Sequence, residues 1–178
     1  MARLPVVDPA VAHGRARDAL DAAEAELGFN PTMTKTMACA PALLEGWLGL
    51  YSALSRGSLD AAMRERIALG VAQANGCAYC LCAHSYLGAR HAHLSDKDVH
   101  DSRMLRSTDR RVDAILQFVD HVVSQRGDVD EGDVERLRGV GCSDEEIAEV
   151  IGNIALNVLT NYFNKIALPE IDFPRVEL

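Results

Sequence analysis

Three cysteines and a histidine lie close together in the stretch GCAYCLCAHSYLGAR, residues 76–90 of this chain. On a helix that turns about 100° per residue, Cys77, Cys80 and His84 share one face, whereas Cys82 points about 140° away from Cys77. Two thiols one turn apart can close a disulfide, and the start of a helix favours their thiolate form. A histidine one turn further on can accept or relay the thiol proton near neutral pH. This spacing predicts a thiol redox site.

A zinc site is the first alternative interpretation of the same cysteines. It would need four ligands in a tetrahedron, and therefore a second Cys or His pair elsewhere in the chain. Cys39 and Cys142 are isolated, and His91 and His93 fall on different faces of any continuing helix. The sequence therefore predicts no metal and no other cofactor, and Cys82 is expected to behave as a small buried hydrophobic residue.

Glu65, in the preceding segment MRERIAL, is the candidate carboxylate for this site. The Asn75-Gly76 break could fold its helix face back towards the start of the cysteine helix. A carboxylate beside an imidazole fixes its tautomer and strengthens it as a base. Alternatively, Glu65 pairs with Arg64, Arg66 or solvent, and the spacing alone favours this second interpretation.

The elements that must position these residues are all helices, because caps, prolines and glycines punctuate the chain and alternating strand patterns are nearly absent. The sequence predicts an all-α fold with about seven to eight helices, in one domain spanning residues 1–178, with the redox motif in a core segment at 58–92. The predicted starts lie at Asp8-Pro9, Asn30-Pro31, Pro41, Ser58, Cys77, Ser95, Thr108 and Ser143, and several predicted ends lie at glycine, namely Gly28, Gly57, Gly76 and Gly127.

The last helix carries a broad apolar stripe that favours a core or a subunit interface. Beside the stripe, Asn153, Asn157 and Asn161 recur every four residues. Such a row of amides is usually solvated, and the alternative is hydrogen bonding across a subunit interface.

Composition bounds the partners and the location of the protein. The chain has 178 residues, 48% of them hydrophobic and 25% charged, which is typical of a globular domain. A formal net charge of -8 disfavours nucleic acid and anionic membranes as partners. The N-terminal stretch lacks the apolar run of a secretory signal, and no bilayer-spanning segment is visible, so a cytoplasmic location is expected.

Glu65, eleven further residues, Cys77-Ala-Tyr-Cys80, three further residues and His84 together form a pattern that resembles the signature of the AhpD-like alkylhydroperoxidases. These belong to the wider carboxymuconolactone decarboxylase superfamily. The stretches ELGFNPTMTKTMACAPALLEGWLGLYSAL, before the motif, and NVLTNYFNKIA, near the end, resemble the peroxidase-related branch of that family. The resemblance thus extends over nearly the whole chain.

The resemblance implies an all-helical fold, assembly into trimers or hexamers through helices, and peroxidase activity towards organic hydroperoxides. It assigns the peroxide-attacking role to Cys80 and the resolving role to Cys77, with Glu65 and His84 as the proton relay. Helix geometry alone would instead have favoured Cys77 as the more reactive thiol, because it lies nearer the helix start. The implied electron donor is a dithiol, and in the family a lipoyl-bearing protein can serve.

Tyr79 departs from the family pattern, because well-known members carry a histidine next to the second cysteine. A phenol that titrates near pH 10 cannot be the same base at pH 7, although it can donate a hydrogen bond in support of the site or simply pack. Two other functions remain open from the sequence. One is a decarboxylase or related acid-transforming activity of the superfamily, and the other is a non-catalytic thiol redox sensor.

Overall fold

Nine α-helices follow one another along residues 2–178, the part of the chain that the computed structural model describes. No strand occurs within these residues, so the predicted all-α class is confirmed. The helices are α1 (Gly14–Leu27), α2 (Thr32–Met37), α3 (Pro41–Ser55), α4 (Ala61–Ala74), α5 (Ala78–His91), α6 (Asp96–Arg103), α7 (Arg110–Ser124), α8 (Glu131–Gly139) and α9 (Asp144–Ala167).

Local capping chemistry explains most of these bounds. Gly28 ends α1 in the left-handed conformation, with φ 81°. Ser95 and Ser143 each start a helix through a reciprocal capping box, with Asp98 and Glu146 respectively. The sequence pattern predicted these signals, and the structure contains them.

The prediction of seven to eight helices was too low because it missed α8. This helix is short and polar, and of its nine residues only Asp133 and Leu137 are buried. Its start signal is a capping box between Asp130 and Asp133, which an apolar periodicity does not reveal.

Three predicted helix starts were also displaced. α1 begins at Gly14, because Asp8 instead closes a turn by accepting from the backbone N–H of Ala10 at 2.9 Å. Asp109, rather than Thr108, caps α7. Asp60, rather than Ser58, caps α4, and the backbone N–H of Ser58 donates to Glu149 at 2.8 Å.

Helix α4 is the central element of the fold. It packs against α5, α6, α7 and α9, and half of its 14 residues are buried. Leu69 and Ala72 belong to the hydrophobic cluster shared with α1, α3 and α5, whereas Ile67 and Val71 belong to the cluster shared with α7 and α9. Because both clusters hold α4, any side chain on it has a fixed position relative to α5.

The C-terminal segment after α9, residues 168–178, runs without regular structure over the molecule. Phe173 packs edge-on against Tyr79 and Phe29, with ring centroids 5.8 and 6.1 Å away. Further on, the backbone N–H of Val176 donates to the Sγ of Cys82 at 3.4 Å. This segment is therefore joined to the cysteine helix.

Candidate functional site

The connection between α4 and α5 places the two cysteines of the motif. Gly76 adopts φ 60°, a left-handed conformation that glycine takes at little cost, and so reverses the chain. Cys77 then caps α5, and its Sγ accepts a hydrogen bond from the backbone N–H of Cys80 at 3.3 Å. Cys77 and Cys80 form a disulfide with their Cα atoms 5.4 Å apart. The motif is therefore a disulfide-bonded cysteine pair at a helix N-terminus.

Glu65 and His84 meet across the α4–α5 packing. The Oε2 of Glu65 lies 2.9 Å from the Nδ1 of His84, and each side chain is only about one-fifth exposed. The structure thus joins the carboxylate and the imidazole that the sequence proposed as a relay.

The alternative partners of Glu65 are engaged elsewhere. Arg66 donates to the Oδ1 of Asp98 at 2.7 Å, and Arg64 donates to the backbone carbonyl of Leu59. The interpretation of Glu65 as a surface ion-pair partner, which the spacing had favoured, is therefore wrong for this structure. Spacing cannot reveal it, because the outcome depends on how α4 packs against α5.

A cavity of about 350 Å³ opens onto this site. Cys80, His84 and Glu65 line it, whereas Cys77 and Cys82 do not. Its remaining wall is mainly apolar and aromatic and includes Phe29, Met33, Trp47, Tyr51, Leu54, Tyr79, Leu87, Leu156 and Phe173. Such a cavity suits a small, largely apolar ligand whose reactive end reaches one sulfur.

Tyr51 lines the cavity near the carboxylate of Glu65. Burial, reinforced by the nearby Glu65 carboxylate, raises the pKa of the Tyr51 phenol above its usual value. The phenol therefore stays neutral at physiological pH, and it stacks on Trp47 with ring centroids 5.4 Å apart.

Helix α9 supplies a row of buried asparagines to the site, which the sequence interpretation placed in solvent or at a subunit interface. Asn153 and Asn157 line the cavity, and each donates to the backbone carbonyl four residues earlier, at 2.8 Å. Asn161 is fully buried and accepts from Asn75 at 3.0 Å. Both interpretations of this row were wrong, because the amides face the interior of the same chain.

Asn164 continues this side of α9 and is a residue that sequence reasoning missed. Its Nδ2 donates to the Sγ of Cys80 at 3.2 Å, and the residue is 3% exposed. A polar residue three positions beyond the asparagine row, on the same helix side, was the available signal.

The sequence model of the carboxymuconolactone decarboxylase family matches residues 41–123, which include both cysteines, Glu65 and His84. Among solved structures, the alkylhydroperoxidase AhpD core of an uncharacterized peroxidase-related protein from Ralstonia eutropha JMP134 is similar at a TM-score of 0.83. The identity is 25%, over 96% of this chain and 92% of that chain. The chain therefore contains a carboxymuconolactone decarboxylase family segment at residues 41–123 and has the AhpD-like fold.

Two further neighbours share the AhpD-like fold. An uncharacterized peroxidase-related protein from Silicibacter sp. TM1040 is 22% identical, with a TM-score of 0.80, over 94% of this chain and 89% of that chain. The debrominase Bmp8, in a complex of a cysteine-to-alanine variant with 2,3,4-tribromopyrrole, is 21% identical, with a TM-score of 0.78, over 97% of this chain and 94% of that chain. No curated protein matches the chain.

Tyr79, the departure from the AhpD-like pattern, has a defined hydrogen-bonding position. Its hydroxyl donates to the Oδ1 of Asp172 at 2.8 Å and accepts from the backbone N–H of Met33 at 3.1 Å. Burial, together with the Asp172 carboxylate, raises the pKa of Tyr79 far above that of a free phenol. The side chain therefore links the motif to α2 and to the C-terminal segment, and it cannot serve as a base at neutral pH.

The remaining cysteines lie outside the cavity. Cys82 is buried against the C-terminal segment, as expected from its opposite helix face, and Cys39 is exposed. Cys142 packs in the hydrophobic cluster that α4 shares with α7 and α9, and this burial raises the pKa of its thiol.

Within residues 2–178, no group of three or more His, Cys, Asp or Glu side chains is arranged to hold a metal ion. None of the helices described there has the length and the apolar character needed to cross a bilayer.

Proposed function

We propose that this protein is a thiol-dependent peroxidase that reduces organic hydroperoxides through Cys77 and Cys80, with Glu65 and His84 as the proton relay. The observation that carries the proposal is the composition of the cavity wall. Of the two paired sulfurs, only that of Cys80 belongs to a lining residue, and the Glu65–His84 pair lines the same cavity. This arrangement supports Cys80 as the attacking thiol and Cys77 as the resolving thiol.

The reaction begins from the reduced pair. The Cys80 thiolate attacks the terminal oxygen of the hydroperoxide, and the O–O bond breaks as the S–O bond forms. The alkoxide leaves with a proton supplied through His84 and Glu65, which gives an alcohol and a Cys80 sulfenic acid. The Cys77 thiolate then attacks the Cys80 sulfur and the S–O bond breaks, so that the hydroxide leaves as water with a proton from the relay and the disulfide seen in the structure forms.

The charge of the cavity supports a neutral substrate. Two carboxylates, those of Glu26 and Glu65, line it beside one permanent cation, the guanidinium of Arg64. A negatively charged substrate would lose hydration in this apolar site without gaining a net positive environment. A neutral hydroperoxide with an apolar or aromatic substituent avoids that cost, whereas the anionic lactone acid of a decarboxylase does not.

Each turnover leaves the cysteine pair oxidised, so an external dithiol must reduce the disulfide before the next cycle. We propose a dithiol protein as donor, with a lipoyl-bearing protein as the candidate that the AhpD resemblance suggests. We also propose a homo-oligomer, a trimer or a hexamer, because α9 presents exposed apolar side chains at Ile151, Leu159, Tyr162 and Ile166.

Mass spectrometry after reduction and one dose of organic hydroperoxide tests the cycle. The expected product is the Cys77–Cys80 disulfide in the wild type and a trapped Cys80 sulfenic acid in the Cys77→Ser variant. The Cys80→Ser variant should consume no peroxide. Absence of a Cys77–Cys80 disulfide in the oxidised wild type would refute the mechanism, and greater loss of the first step in Cys77→Ser would reverse the two roles.

A matched control separates the pair from thiols in general. Cys39 is exposed and outside the cavity, so Cys39→Ser should retain full turnover with a dithiol. Consumption of one equivalent of peroxide and no more, with a panel of dithiols supplied, would favour the redox-sensor alternative. Decarboxylase activity that survives in a Cys77/Cys80 double variant would favour the acid-transforming alternative.

A second candidate function is reductive dehalogenation of a small aromatic compound. The favouring observation is the aromatic wall beside Cys80, together with the debrominase of the same fold that binds tribromopyrrole. In this reaction, the Cys80 thiolate attacks the halogen, the carbon–halogen bond breaks as the sulfur–halogen bond forms, and the ring carbon takes a proton, which leaves a Cys80 sulfenyl halide. Cys77 then displaces halide to form the disulfide. Bromide release from 2,3,4-tribromopyrrole with a dithiol, at a rate above hydroperoxide turnover, would favour this candidate.

A further inference from the structure

The Cys80 sulfur has a single side-chain hydrogen-bond donor among residues 2–178, and it comes from the far end of the chain. The amide Nδ2 of Asn164 lies 3.2 Å from the Cys80 Sγ. Asn164 is 3% exposed and lines the same cavity as Cys80, so this contact is shielded from solvent. An amide N–H that points at a thiolate in a dry site stabilises the negative charge.

The other end of the same amide has no partner. Within residues 2–178, the Oδ1 of Asn164 is buried and receives no hydrogen bond. An unpaired buried acceptor costs free energy, so such groups are rare and call for an explanation. Because Asn164 lines the cavity, a ligand that brings an O–H donor to this oxygen would remove that cost.

Helix α9 holds this amide in register with the motif. Asn161, one turn before Asn164, accepts a hydrogen bond from the side chain of Asn75 at 3.0 Å. Lys165, the residue after Asn164, donates to the backbone carbonyl of Asn75 at 2.5 Å. Asn75 lies two residues before Cys77. The α9 contacts therefore hold both the turn that starts the motif and the sulfur of Cys80, the cavity-lining cysteine.

We infer that Asn164 is a catalytic residue of this site, with its Nδ2 donating to the Cys80 thiolate and its Oδ1 accepting from the O–H of the bound hydroperoxide. One planar amide thus aligns the nucleophile with the oxygen it attacks. During the step, the S–O bond forms and the O–O bond breaks. The hydroxyl hydrogen stays on the transferred oxygen, and the leaving alkoxide takes its proton from the His84 side. The inference rests on the proposed peroxidase function for its Oδ1 half.

Peptide-resolved alkylation with iodoacetamide, followed against pH in the Cys77→Ser background, tests the Nδ2 half. Asn164→Leu removes the donor, and we expect the alkylation midpoint of Cys80 to rise by about one unit or more. Asn164→Asp keeps the shape but places a carboxylate beside the sulfur, so its midpoint should rise further. A merely structural role would not produce this order.

Asn157→Ala is the matched control, because Asn157 is a buried cavity asparagine whose amide donates to a backbone carbonyl, not to Cys80. Its Cys80 midpoint should equal that of the parent. Thermal melting by circular dichroism checks that each variant is folded. If folded Asn164→Leu and Asn164→Asp both keep the parent midpoint, the inference is wrong.

The proposed role of Oδ1 is tested by the rate of hydroperoxide reduction. The rate is measured at a pH above the alkylation midpoints of all variants, where Cys80 is fully ionised in each of them. Asn164→Leu should then still lose about tenfold in rate, because the acceptor for the substrate is gone. An unchanged rate at this pH would overturn the Oδ1 role. A wild type that reduces no hydroperoxide, combined with shifted midpoints in the variants, would refute the peroxidase function and the Oδ1 role but not the N–H contact.

Discussion

Replacing Tyr79 by phenylalanine removes one hydroxyl at the point where three segments of the chain meet. That hydroxyl accepts from the backbone N–H of Met33 and donates to the Asp172 carboxylate, which in turn accepts from the backbone N–H and the hydroxyl of Thr32 at 2.6 and 2.9 Å. Helix α2 has no cap of its own, because proline precedes it. Tyr79 and Asp172 therefore supply its N-terminal acceptors from distant parts of the sequence.

The cost of Tyr79→Phe follows from the two hydrogen bonds. Met33 is buried, so its N–H would be left without an acceptor, which costs about 1–3 kcal/mol. The hydrogen bond to Asp172 adds about 1 kcal/mol, discounted because that carboxylate is solvent-exposed. We expect a loss of roughly 2–3 kcal/mol in the free energy of unfolding and, for a chain of this length, a Tm lower by roughly 5–10 °C.

Chemical denaturation of the oxidised protein, with the Cys77–Cys80 disulfide intact, measures this loss. Tyr86→Phe is the matched control, because Tyr86 lies on the same helix and packs near Phe173, but its hydroxyl makes no hydrogen bond within residues 2–178. Its free energy of unfolding should change by less than about 0.5 kcal/mol. A double-mutant cycle with Asp172→Asn should give a coupling energy of about 1 kcal/mol.

A Tyr79→Phe variant as stable as the wild type would refute this reasoning. A coupling energy of zero with Asp172→Asn, together with a large loss of stability in Tyr79→Phe alone, would show that only the hydrogen bond from the Met33 N–H to the Tyr79 hydroxyl stabilises the fold. Either result would mean that the hydrogen bond between Tyr79 and Asp172, which joins the motif to the C-terminal segment, does not stabilise the fold.

Three further predictions concern the rest of the fold. The Ser95 hydroxyl is the main cause that lowers the pKa of Asp98 to about 2, so the ionised carboxylate stabilises the fold above its unfolded pKa of about 4. This stabilisation should fade between pH 4 and about 2, and Asp98→Asn should lose about 1 kcal/mol at pH 7 and show a flatter acid denaturation curve. Gly70→Ala should cost about 1–3 kcal/mol by denaturation, because the added Cβ would overlap the Leu105 side chain. Ile166→Asp places a charge on the exposed apolar face of α9 and should reduce the mass measured by light scattering to that of one chain.

The cysteine motif and most helices could be predicted because their signals are local. Caps, glycines at helix ends and the three-residue spacing of Cys77 and Cys80 act within one or two turns. Helix α8 was not predicted, because its start signal lies in polar residues and only two of its side chains are buried. Asp60 and Asp109 were missed as caps because a serine or threonine nearby offered an equally good local signal.

The interior of the site required the tertiary structure. Glu65 has arginines on both sides in sequence, and only the packing of α4 against α5 decides that it meets His84. Similarly, the asparagine row places Asn164 on one side of α9, but it does not indicate which residue that side contacts, here a sulfur 84 positions earlier. Local sequence carries no information about which helix face becomes buried against which partner when the burial involves polar side chains.

The sequence by itself determined the chemistry that is available here: two thiols one turn apart at a helix start, a histidine on the same face, and an all-α fold to hold them. The tertiary structure alone decided which cysteine of the pair lines a cavity, which carboxylate reaches the imidazole, and that Tyr79 binds Asp172 rather than acting as a base. The physical reason is range. Thiol spacing and capping are settled within a few residues, whereas burial, desolvation and hydrogen bonding between helices exist only after the chain has packed.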